Sequence, residues 1–67
     1  MLTWDDSFAI ARILQTQHPN IDFESVSLAM IYQWVLEIPE FGDDRELAND
    51  DILEAIYQEW FEEANTL

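Results

Sequence analysis

The sequence predicts a small all-α domain in which three amphipathic helices share one core. Three observations predict it. Apolar residues recur at helical spacing in three segments. Pro19 and Pro39 separate those segments, and a capping residue precedes each of them. Only a token strand near Val26 finds room between them. The 67 residues read as one acidic helical domain, residues 1–67, near the lower size limit for folding without staples. There is no cysteine, so packing alone must hold the fold; 49% hydrophobic residues and nine aromatics make that feasible.

The first helix is expected over residues 5–17, "DDSFAIARILQTQ". Phe8, Ile10, Ala11, Ile13 and Leu14 fall largely on one side. Asp5 suits the N-cap, with Asp6 favourable at the positive end of the helix dipole. Trp4 stands where a staple against Phe8 or Ala9 would form. Pro19 disfavours helix at His18 and stops the segment. Asp22 suits the cap of a single turn in the connection. The second helix is expected over residues 28–38, capped by Ser27, with Leu28, Ile31, Trp34, Val35 and Ile38 as its stripe and Pro39 as its end. A loop follows to residue 48. Gly42, the one glycine, marks a position expected to need positive φ. The third helix, residues 50–64, starts from Asn49 with Asp50 and Asp51 in its first turn. Ile52, Leu53, Ile56, Tyr57, Trp60 and Ala64 occupy half of its wheel, with Phe61 at the edge. Asp50, Asp51, Glu54, Gln58, Glu59, Glu62 and Glu63 occupy most of the rest. Trp4, Trp34 and Trp60 are assigned to the core. An exposed aromatic anchor, if there is one, falls best on Phe61 or Phe41.

Fifteen acids against two arginines, Arg12 and Arg45, leave a net charge of −13. The stretch "EFGDDRELANDD", residues 40–51, concentrates that charge between two apolar segments. Binding to a phosphate backbone needs Lys or Arg for counterion release, so nucleic acid is excluded as a direct partner, and anionic membranes with it. No run reaches the roughly 18 apolar residues of a transmembrane helix. The N-terminus lacks the basic and apolar regions of a signal peptide, so a cytoplasmic location is expected. The charge favours a basic protein surface or a metal ion.

Catalysis has no support in the residue inventory. There is no thiol nucleophile and no G-x-S-x-G elbow, and His18 reads as a solvent-exposed residue at a helix end. One glycine cannot build a phosphate loop. Paired carboxylates abound, but acid–base work needs one of them buried to shift its pKa. The expectation is that this is not an enzyme. Carboxylates suit hard ions such as iron, manganese, magnesium and calcium. "GDDRELANDD" is not an EF-hand loop, because the glycine comes first. A metal site would be shallow and weak, built from Glu37, Glu40, Asp43 and Asp44 and joined by Asp50 or Glu54. A solvated acidic surface holding no specific ion is the competing reading. Docking onto a basic protein by electrostatic steering is a further use, and a nucleic-acid mimic that presents carboxylates in place of phosphates stands beside it.

Several pieces in order carry a resemblance: "TW" and "DS" before the first helix, "HPNID" after it, Val26, "QW" at 33–34, "EFGDD" at 40–44 and "NDDILEAI" at 49–56. Together they resemble the IscX family, small acidic accessory proteins of bacterial iron–sulfur cluster assembly. The likeness runs without gaps over nearly the whole chain. It departs from the family pattern at Gly42, which interrupts an acidic run, at Arg45, where proline is common, and at Ser27 and Tyr32, where arginine and histidine are common. The resemblance implies a winged-helix-like fold, binding to the cysteine desulfurase on a surface shared with frataxin, and weak iron binding through surface acids. A winged-helix-like fold ordinarily suggests DNA, which the charge of −13 contradicts. On this reading Glu37, Glu40, Phe41, Asp43, Asp44, Asp50 and Glu54 form the partner-binding face, and Glu40, Asp43 and Asp44 hold iron.

Overall fold

In the computed structural model, which describes residues 1–65, the chain forms three α-helices: α1 (Ser7–Gln17), α2 (Leu28–Leu36) and α3 (Asp50–Ala64). Single 3-10 turns lie at Phe23–Ser25 and Arg45–Leu47. No strand occurs among the described residues. One isolated parallel bridge joins Leu2 to Phe41.

The helix starts follow from side-chain acceptors. Asn49 Oδ1 accepts the Ile52 N–H at 2.9 Å, and Asp50 and Asp51 sit in the first turn of α3. Ser27 Oγ accepts the Met30 N–H at 3.1 Å, while the Met30 sulfur accepts the Ser27 N–H at 3.5 Å. This is a capping box with a thioether in the usual place of Glu. Asp22 caps the first 3-10 turn through the Glu24 N–H. At α1 the expected Asp5 cap is not used, and the helix begins two residues later, with Asp6 at the N-cap position. The Asp6 carboxylate turns backwards and accepts the Thr3 N–H at 2.9 Å. It thereby closes the turn that carries Trp4.

The core consists of Trp4, Ile10, Ala11, Leu14, Ile31, Val35, Ile38, Leu53, Ile56 and Trp60, and among the described residues no polar or charged one is buried with them. α3 lies at the centre, packed chiefly on α1 and also on α2. Each fully buried aliphatic side chain contributes about 1.5–3 kcal/mol against solvent exposure. Trp60 is enclosed by rings: Phe23 at 5.1 Å, Trp34 at 5.8 Å and His18 at 6.2 Å between centroids. Its indole N–H donates to Gln15 Oε1 at 3.0 Å, tying α3 to α1.

Four further expectations are corrected. Phe8 does not staple to Trp4; it is 54% exposed, and the Arg12 guanidinium lies 5.9 Å above its ring. Trp34 is only half-buried, with His18 stacked on its ring at 4.3 Å between centroids. His18 is accordingly half-buried rather than free in solvent. Gly42 has no positive φ. It stands where its N–H donates to the Leu2 carbonyl at 2.9 Å, and the flexible Met1 side chain occupies the space of a Cβ.

Candidate docking face

The stretch from the end of α2 to the first turns of α3 carries the acids that the sequence singles out. Glu37, Glu40, Asp44, Glu46, Asp50, Asp51 and Glu54 are all exposed, and Asp43 is half-buried. The loop holding Asp43 and Asp44 is seated by partners far away in the chain. Leu2 N–H donates to the Glu40 carbonyl at 2.8 Å, and Gly42 N–H returns to the Leu2 carbonyl. Trp4 N–H donates to Asp43 Oδ2 at 3.1 Å, and its indole N–H donates to the Asp44 carbonyl at 2.8 Å. Tyr32 OH donates to the Arg45 carbonyl at 3.4 Å. The Trp4 ring lies parallel to Tyr32 at 5.9 Å and meets Phe41 edge-on at 4.6 Å. Two aromatic donors, themselves packed together, thus grip consecutive carbonyls of the acidic loop.

The carboxylates are not equivalent. Both oxygens of Asp43 accept backbone N–H groups, from Trp4 and from Asp44 at 2.8 Å. Asp44 Oδ1 accepts the Glu46 N–H at 2.9 Å. Glu37 accepts the Gln33 amide at 3.4 Å. Asp43 and Asp44 therefore shape the loop, while Glu40, Asp50, Asp51 and Glu54 present their charge to solvent. Among the described residues no three Asp, Glu or His side chains converge in a way that could hold a metal ion. Without such a converging set, the acids of this loop do not fit a preformed metal centre.

Little positive charge opposes this face. Arg12 pairs with Glu63 on α3 at 3.7 Å. Arg45 lies in the acidic loop and makes no ion pair among the described residues. Phe41 is half-buried against Trp4, so its ring belongs chiefly to the platform under the loop. Leu47, 57% exposed beside Glu46, is the apolar side chain the loop offers instead. Sequence reasoning did not single it out. Phe61 is 43% exposed on α3, touching Phe23 and Tyr57. The roles of Leu2, Trp4 and Tyr32 in seating the loop were also missed. The one hint was a tryptophan placed just before a helix start, outside any apolar stripe.

Fold and face together define a small, acidic, all-helical protein whose surface charge is almost wholly of one sign. Residues 2–65 match the family described as iron–sulphur cluster assembly, and the chain belongs to that family, the IscX family its sequence resembles. It is 39% identical over 62 residues to an uncharacterised protein of Pseudomonas aeruginosa, covering 92% of this chain and 94% of that one. Membership associates the chain with iron–sulfur cluster assembly. No described helix is long and apolar enough to cross a membrane.

Proposed function

We propose that this protein is a non-enzymatic accessory of iron–sulfur cluster assembly that docks through residues 37–54 onto a basic surface of the cysteine desulfurase. The observation that carries the reading is a firmly seated loop with exposed carboxylates on both sides of it and one arginine, Arg45, to oppose them. Without cysteine, the chain has no thiolate to receive sulfur or ligate a cluster, so its role is to bind a component that does. A basic partner relieves self-repulsion within a domain of net charge −13 and is found quickly through the long-range field. Frataxin, on this reading, competes for the same desulfurase surface. Iron is a loosely held surface ion, shared among Glu40, Asp44 and their neighbours.

A pull-down of purified desulfurase with metal-free protein tests the reading at low and high salt. Binding at low salt that fades at high salt is expected. No salt-sensitive affinity without metal, or tight binding only once iron is added, would overturn it. Competition with DNA for a DNA-binding protein, with no response to the desulfurase, would support a nucleic-acid mimic in its place.

A further inference from the structure

We infer that Trp4 and Tyr32 are positioning residues for the acidic loop, holding residues 43–45 in the shape the partner reads. The inference rests on the docking reading above and assigns it a mechanism. Three observations carry it. The Trp4 indole N–H and the Tyr32 hydroxyl donate to adjacent loop carbonyls, those of Asp44 and Arg45. The same tryptophan supplies its backbone N–H to Asp43 Oδ2, so one residue grips the loop at two points. The two rings also lie parallel, with a 4° interplanar angle, and Trp4 is 3% exposed, so the donors stand on a rigid base.

The physical consequence concerns pre-organisation. A charged loop free to sample many shapes loses that freedom on binding, and the ordering cost weakens the complex. Self-repulsion among Asp43, Asp44 and Glu46 favours an open, splayed loop. The grip opposes that spreading before the partner arrives. Neither donor adds charge, so the field that governs encounter is independent of it, whereas the lifetime of the complex is not.

The test replaces the indole N–H without changing ring shape: Trp4→β-(3-benzothienyl)alanine, made by total synthesis of the chain, with Tyr32→Phe as the second variant. Association and dissociation rates with the desulfurase are measured beside melting temperature and amide exchange. Deleting the Trp4 donor should speed dissociation about fivefold, the scale of one hydrogen bond, and leave the association rate unchanged. Tyr32→Phe should give a smaller change of the same kind. Exchange at the Glu46 and Leu47 amides, which donate to Asp44, should quicken while Leu53 and Ile56 stay protected. Asp44→Asn keeps its acceptor oxygen for Glu46 and removes one charge, so it should instead slow association. A Trp4 variant that binds with wild-type rates would overturn the inference and leave the docking reading standing. A wild-type protein that fails to bind would overturn the docking reading and this inference with it.

Discussion

Two tryptophans, both buried, do different work. Trp60 sits at the meeting of the three helices, with no exposed surface, ringed by Phe23, Trp34 and His18. Its indole N–H stays within the helical layer, on Gln15 of α1. Trp4 precedes α1, and its two N–H groups reach across to residues 43 and 44. The first joins helix to helix; the second joins the core to an irregular, highly charged segment. An aromatic with a polar edge suits both tasks, because its body is buried while its donor finds a partner. The comparison separates what keeps the domain folded from what gives its acidic face a shape.

The sharpest way to break that comparison is to remove the ring that joins the helices. Trp60→Ala should cost about 3–5 kcal/mol, the range for truncating a large core aromatic. A domain of this size has a total stability of roughly 3–10 kcal/mol, so the variant should be largely unfolded at room temperature. Far-ultraviolet circular dichroism through a denaturant titration measures it. A loss below about 1 kcal/mol would mean that the ring cluster around Trp60 does not hold the three helices together.

The next largest effect should fall on binding. Asp43→Lys with Asp44→Lys should abolish association with the desulfurase. It should also destabilise the fold by about 1–3 kcal/mol, because the Trp4, Asp44 and Glu46 N–H groups lose their carboxylate acceptors. Asp50→Lys with Glu54→Lys makes the same charge change at residues whose carboxylates face solvent. That pair should weaken binding with little loss of melting temperature. If both pairs lower stability equally, the distinction between loop-shaping and displayed carboxylates fails.

Salt should move the two properties in opposite directions. Exposed charges are screened over about 8 Å at physiological ionic strength. Screening relieves self-repulsion within the free domain, so its melting temperature should rise with sodium chloride. The same screening should weaken docking. A melting temperature that falls with salt would show that the net charge of −13 is already balanced within the fold.

The helices were legible in the sequence because their signals are local. Asp22, Ser27 and Asn49 each cap the element that follows them, and the apolar stripe of α3 buries Leu53, Ile56 and Trp60 as its spacing requires. The acidic stretch was also found, through its charge. The support beneath it was not, since Trp4 and Asp44 are 40 residues apart and no local pattern links them. His18 misled for the same reason: a residue at a helix end reads as exposed until Trp34 of another helix is laid against it. Phe8 misled differently. It lies near the apolar side of α1, yet that helix begins later than expected and Phe8 remains exposed beside Arg12. Gly42 was read for its conformational freedom, when its backbone N–H in the bridge to Leu2 is what the fold uses.

The smallest expected effect is the binding of iron, and it bears most directly on how the acids differ. A paramagnetic titration, with Mn(II) standing in for Fe(II) under air, should broaden amide resonances of residues 40–51 before those of the apolar face. Within that stretch the two kinds of carboxylate should separate. Asp43 has each oxygen on a backbone donor, which leaves one lone pair on each and fixes the direction the carboxylate faces, whereas Glu40 and Asp50 are exposed and turn freely toward an ion. Replacing Glu40 and Asp50 by their amides should therefore weaken the ion more than Asp43→Asn does. Exposed carboxylates keep much of their hydration and offer no converging set of three, so affinity should be low and calcium or magnesium should displace the ion readily. Uniform broadening over every acidic residue, α3 included, would show that ions simply condense on the charge. Selective broadening that Asp43→Asn abolishes would show the opposite, that Asp43 itself is the principal ligand and the exposed acids are secondary.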